Sequence, residues 1–280
     1  MRIIIKNIGK VLLFIFFLSS FTVASSPSLS GESLSRVIGW SVEGLPIRAH
    51  RVGFGNDHLI LIGGIHGGYE WNTVLLSRQL LDYFKTHHDE VPKNISLHII
   101  TNANPDGLIR ITRGKALEKV DFSAVDTRPG RFNGNNVDLN RNWDFRWEPK
   151  AYWGTREVDP GSAPFSEPET RALRDFILTL KPAQVVFFHS AARGIYYGGK
   201  REGYEPAKKA AEVYSRASGY PLPQQGQSLM KYPITGAASN YLYSKNISSI
   251  TIELATHSNP EYSENLKGVK ALLAYLEKEK

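Results

Sequence analysis

The chain has 280 residues, 41% of them hydrophobic and 22% charged, with no cysteine and a formal charge of +7. That balance excludes a disordered or fibrous protein and fits one sizeable globular domain. Without cysteine there are no disulfides, thiolate ligands or cysteine nucleophiles, and a charge this mild and evenly spread gives no case for nucleic-acid binding.

The amino-terminus stands apart from the rest. Arg2, Lys6 and Lys10 precede the apolar run 11–18, and small residues follow at Ala24, Ser25 and Ser26. A basic start, a short apolar stretch and a small-residue exit predict a signal peptide over residues 1–24. The run falls well short of the roughly 20 residues a membrane span needs, so no stable span is expected after cleavage. Residues 25–280 are expected to form a single exported domain, periplasmic or secreted.

Within that domain, 46–52 and 58–65 read as two strands joined as a hairpin by the turn-rich 53–57. Residues 72–84 carry helical periodicity, and 95–101 form the next apolar strand. Residues 102–165 are rich in Gly, Asn, Asp, Pro and Trp with little periodicity; a stretch of that kind inside a compact domain is more often functional than linker. Ser166-Glu167-Pro168-Glu169 reads as a capping box opening a helix over 167–180. A strand at 185–189, a helix at 205–217, a strand at 249–254 and a helix at 259–277 follow. Strands apolar on both faces and alternating with helices predict an α/β domain with a mixed, mainly parallel central sheet flanked by helices.

In such sheets ligands bind beyond the carboxyl ends of the strands, and His66, His189 and Glu253 all fall there. His66 and Glu70 stand one helical turn apart across Gly67 and Gly68, close enough to converge on one ion. Each residue alone also has an ordinary reading. His66 and Glu70 could belong to a glycine-rich surface turn, His189 could be a satisfied core histidine, and Glu253 could pair with a buried arginine. Taken together, two imidazoles and two carboxylates suit a catalytic zinc site with an open position and a separate base.

The middle of the chain separates these readings. Asn104-Pro105-Asp106-Gly107 and Val137-Asp138-Leu139-Asn140-Arg141-Asn142-Trp143-Asp144 closely resemble two signature loops of the zinc carboxypeptidases. The resemblance runs from about Gly39 to the C-terminus and includes Ser41-Val42-Glu43-Gly44, Pro164 to Thr170, and His189-Ser190. It implies one Zn2+ per chain held by His66, Glu70 and His189, with Glu253 as the general base. It implies Arg131 as the cation that polarises the scissile carbonyl, and Asn140 with Arg141 as the grip on the substrate's terminal carboxylate. Tyr232 matches a tyrosine that covers bound substrate, and Ser239 falls near the position that sets side-chain preference. Two departures stand out. The family's usual H-x-x-E spacing is one residue longer here, and a long segment from Gly107 to Arg131 makes Arg113 a rival for the carbonyl-polarising role.

Gly-Gly-x-His-Gly, Tyr-Pro-x-x-Gly and Asn-Pro-Asp-Gly-Leu are most similar to the branch of bacterial murein tripeptide amidases. These cut the γ-D-glutamyl–meso-diaminopimelate bond of cell-wall peptides, so a peptide or muropeptide partner is expected. The alternatives are an exported carboxypeptidase for ordinary peptides, a deacylase of small N-acyl amino acids, and a catalytically inactive muropeptide-binding protein.

Overall fold

The computed structural model describes residues 34–198, 205–222 and 234–279; the expected signal peptide lies outside them. The chain begins with β1 (Leu34–Trp40), β2 (Pro46–Val52) and β3 (Asp57–Ile62), then α1 (Trp71–Thr86), β4 (Ile95–Ile100) and α2 (Pro105–Thr112). After a run of short 3-10 turns, a small hairpin of β5 (Ala151–Trp153) and β6 (Arg156–Val158) precedes α3 (Pro168–Leu180). Strands β7 (Gln184–Ser190) and β8 (Gly194–Tyr197), helices α4 (Glu205–Ser218) and α5 (Ala238–Ser244), strand β9 (Ser249–Leu254) and helix α6 (Tyr262–Lys278) follow. Among the described residues no helix is long and apolar enough to cross a membrane.

Seven strands make one sheet in the order β1-β2-β4-β3-β7-β9-β8. The four middle strands, β4 to β9, run parallel, while β1, β2 and β8 are antiparallel to their neighbours. Strand alternation sorts the core into two layers. Leu59, Leu61, Val186, Phe188, Ile250 and Ile252 pack with Leu76, Leu80, Tyr214 and Leu272 of α1, α4 and α6. Ile60, Ile62, Val185 and Phe187 pack on the other side with Leu173, Phe176, Tyr241 and Trp143. Each such side chain contributes about 1.5–3 kcal/mol by leaving water, which is why these strands are apolar on both faces.

Two local expectations are corrected. Strands β2 and β3 are not a hairpin, because β4 inserts between them, antiparallel to β2 and parallel to β3. The connecting 53–57 segment instead caps β4: Gly55 N–H donates to Ile95 O at 3.2 Å and Asp57 N–H to Asn94 O at 3.0 Å. The capping box before α3 does not form either. Glu167 is the N-cap with no side-chain cap, and Glu169 turns away to accept from Val42 N–H at 3.1 Å and the Asn133 amide at 3.1 Å. Tertiary partners have outcompeted the local ones.

The 102–165 stretch is ordered by polar side chains. Asn104 caps α2 by accepting from Gly107 N–H at 2.9 Å. The Asn142 amide donates to Pro160 O at 2.7 Å and accepts from the Thr170 hydroxyl at 2.7 Å. The stretch thereby covers the carboxyl end of the sheet on the α3 side.

Candidate metal centre

His66 and Glu70 lie in the turn that leaves β3, with Tyr69 N–H donating to His66 O at 3.0 Å and Glu70 serving as N-cap of α1. Gly67 makes this turn possible. Its φ is +42°, and a Cβ there would meet the carbonyls of Asn104 and Gly130 at 2.9 Å. Gly107 likewise lets the start of α2 press within reach of Gly130 O. These two contacts draw the 128–131 turn, and Arg131 with it, against the histidine. From the sheet, His189 ends β7 and stands in register with Glu253 of β9.

The three side chains converge, all 3% exposed or less. Glu70 Oε1 is 2.7 Å from His66 Nδ1, Glu70 Oε2 is 3.0 Å from His189 Nδ1, and the two Nδ1 atoms are 3.3 Å apart. The donor atoms lie within 4.8 Å of one another. Burial opposes the charge on Glu70, but the two imidazoles outweigh it and hold its carboxyl well below the usual range. For His189 burial is likewise outweighed, by the Glu70 charge, and its pKa is raised.

Asp138, in the middle of the second signature loop, was not singled out from sequence, and it lies against both His66 and Arg131. Its Oδ1 is 3.2 Å from His66 Nε2, and its Oδ2 accepts from Arg131 Nε and Nη2 at 3.0 and 2.8 Å. Despite full burial, Arg131 and then His66 hold the Asp138 carboxyl well below its ordinary pKa. An ionised carboxylate can only accept, so a proton on His66 Nε2 would be held by Asp138, leaving Nδ1 to face the Glu70 carboxylate and the second imidazole. Such a cluster suits a cation, and two nitrogens with one carboxylate oxygen form a set that zinc takes with a position left open.

Around the triad lies a cavity of about 510 Å³ that also exposes Tyr69, Arg131, Asn140, Arg141, Trp153, Ser239, Glu253 and His257. Arg131 is buried, 3.2 Å from His66 Nδ1 through Nη1, and its guanidinium stacks 4.6 Å from the Trp153 ring. Arg113, the rival, caps the far end of α2 in a left-handed conformation and lines a different cavity. Glu253 has no salt-bridge partner among the described residues. Burial raises its pKa against the pull of His189, and the Glu70 charge raises it further.

Asn140 and Arg141 sit on the opposite rim. Asn140 Oδ1 accepts from Ala238 N–H at 3.0 Å, and Arg141 donates to Tyr152 O at 2.9 Å and Asn140 O at 2.8 Å. Ser239 lines the same rim, with its carbonyl accepting from the Ser249 hydroxyl at 3.2 Å. Tyr232 lies outside the described residues. Tyr69, Trp153 and His257 were not anticipated; aromatic residues in a polar stretch are the only trace of the first two in the sequence.

Known proteins resemble this chain in sequence and in fold. The chain is 26% identical over 248 residues to gamma-D-glutamyl-L-diamino acid endopeptidase 1 of Lysinibacillus sphaericus, covering 80% of this chain and 61% of that one. It is 27% identical over 218 residues to murein peptide amidase A of Escherichia coli (strain K12), covering 73% and 74%. The chain thus spans less than two thirds of some curated relatives it matches. The fold superposes on murein-tripeptide amidase from Escherichia coli O157 with a TM-score of 0.60 at 23% identity, over 88% of this chain and 92% of that one. It also superposes on carboxypeptidase A from Helicoverpa armigera with a TM-score of 0.68 at 20% identity, over 87% and 69%. The zinc carboxypeptidase model matches residues 32–270, and this chain belongs to that family.

Proposed function

We infer that the protein is an exported enzyme that hydrolyses the C-terminal amide bond of a peptide, using one zinc ion held by His66, Glu70 and His189. The observation that carries this reading is a buried two-histidine, one-glutamate cluster with a second glutamate, without a salt-bridge partner among the described residues, in register beside it. Zinc at this cluster would supply a Lewis acid and an activated water.

The chain's own residues supply the rest. Glu253, its pKa raised by burial, takes a proton from the attacking water and delivers it to the leaving nitrogen. Arg131, fixed by two bonds to Asp138, is a preorganised cation for the oxygen that gains charge, a role worth several kcal/mol. The Asn140 amide has its oxygen committed to Ala238, so it offers N–H to substrate. Next to it, the Arg141 guanidinium is held by backbone carbonyls. Together they suit a terminal carboxylate, with Tyr232 as the covering residue and Ser239 facing the terminal side chain.

Among substrates we favour cell-wall peptides ending in meso-diaminopimelate linked to γ-D-glutamate, met in the periplasm or outside the cell. The names of the relatives support this, as do Ser239, Asn240 and Thr251 along the cavity, which offer polar but uncharged partners to a zwitterionic terminus. The test is release of meso-diaminopimelate from L-Ala-γ-D-Glu-meso-diaminopimelate by zinc-loaded protein. Release should be abolished by chelator, and equally by Glu253→Gln with zinc still bound. Cleavage of blocked α-linked dipeptides in its place would move the substrate to ordinary peptides.

A further inference from the structure

His257 shares the cavity with Glu253, yet the chemistry above gives it no task. It lies just past the carboxyl end of β9, and the order along that strand places it. Ser249 bonds the Ser239 carbonyl, Thr251 and Glu253 line the cavity, and His257 lines it beyond them along the chain. The proposed terminal-carboxylate grip is tied through Ala238 and its neighbour Ser239 to the Ser249 end of the strand, so His257 is on the acyl side of the bond to be cut. Its ring packs 4.4 Å from the ring of Tyr69, which meets Trp153 edge-on at 5.0 Å. One wall of the cavity is therefore aromatic.

A buried relay fixes which nitrogen of His257 carries the proton. Fully buried Asn72 donates its amide to Thr256 O at 2.7 Å and Asn259 O at 3.1 Å. Both donations hold the loop that bears His257, and they assign the amide orientation. Asn72 Oδ1 then accepts the Ser190 hydroxyl proton at 3.0 Å. Having spent its one proton, Ser190 Oγ can only accept from His257 Nδ1, 2.9 Å away. Neutral His257 is thus the Nδ1–H tautomer, and Nε2 is a lone pair with no hydrogen-bond partner among the described residues.

Resting on the amide-hydrolase reading above, we propose that His257 is an acyl-side substrate-binding residue whose Nε2 accepts the backbone N–H of the residue preceding the scissile bond. Ser190 and Asn72 act through it as positioning residues. The ligand class follows from the acceptor: the favoured substrate carries an acylated amine there, so it is at least one unit longer than a dipeptide. An anionic group would find a lone pair and bind no better for it.

Two probes test this, L-Ala-γ-D-Glu-meso-diaminopimelate and benzoyl-Gly-Phe, each beside an analogue in which oxygen replaces that N–H. The acylated N–H stands three carbons from the scissile carbonyl in the first and one in the second. With the wild-type protein the swap should therefore lower kcat/KM about tenfold, mainly through KM, on the probe whose N–H reaches Nε2, the scale of one hydrogen bond; no loss on either overturns the proposal. His257→Phe keeps the ring packing, and it should lose a similar factor on the N–H probe while becoming indifferent to the swap. A variant as sensitive to the swap as wild type overturns the proposal. Independently of turnover, nitrogen NMR of the full chain should show His257 protonated on Nδ1, and an Nε2–H tautomer overturns the proposal even if the variant misfolds. Turnover of neither amide by wild type overturns the hydrolase reading and this one together, whereas turnover with an unaltered response in the variant overturns this one alone.

Discussion

The parallel core and the 102–165 stretch both deliver residues to one cavity, but they are held by different forces. Strands β3, β7 and β9 place His66, His189 and Glu253 by burying apolar neighbours on two faces. The stretch places Arg131, Asp138, Asn140 and Arg141 through amide, carboxylate and carbonyl partners, with little periodic structure. The residues proposed to hold the ion thus depend on the hydrophobic layer for a rigid frame, while those proposed to touch substrate or tune a ligand depend on the polar one.

The largest effect should come from the core. Phe187→Ala removes a side chain that is 1% exposed in the layer it shares with α3 and α5, and about 4 kcal/mol of unfolding free energy should go with it in denaturant titration. Asn142→Ala in the stretch should cost less, about 2 kcal/mol, because it strands several partners but opens little volume. Equal losses would erase the distinction drawn here.

Next comes the link between the two regions. Asp138→Asn can no longer hold a proton on His66 Nε2 by charge and loosens Arg131. Zinc affinity, measured against a competing chelator, should fall about 10–100-fold. Unchanged affinity would mean that the sheet positions His66 unaided.

The most discriminating effect is in pH. Burial lowers the pKa of His98 on β4 to about 3, so the unfolded chain takes up its proton first. Stability from this group is complete above pH 6.5 and is lost as pH falls toward 3. Burial raises Glu169 at the start of α3 to about 7, with the Asp106 charge adding to it. Its sign is opposite: the contribution is complete below pH 4.5 and is lost as pH rises through 7. Melting curves across pH 3–8 should lose the acid slope in His98→Leu and the near-neutral slope in Glu169→Gln.

Much of this was legible in the sequence for a physical reason. Continuous apolar runs announce β4, β7 and β9 to within a residue or two, and the residues after them fall at the site. Strand β1, with its exposed Leu34 and Trp40, leaves a weak pattern because an edge strand need not be apolar. Pairing of β2 with β4 rather than β3 is a non-local choice that no turn residue encodes. Asp138 sat inside a quoted motif, but its role depends on a contact 72 positions away. His257 was illegible altogether, since only Ser190 and Asn72 give it meaning.

The register of β9 against β7 has a consequence for folding fidelity. Thr251 and Glu253 alternate with Ile250, Ile252 and Leu254, and His189 opposes Glu253. A slip of one residue would turn every side chain to the other layer and drive the Glu253 carboxylate among Leu76, Phe188 and Leu272. An unpaired charge there is strongly penalised. The glutamate proposed for proton transfer should therefore also penalise misregistered strand pairing, and a Glu253→Leu chain should be more prone to mispairing even where it is no less stable.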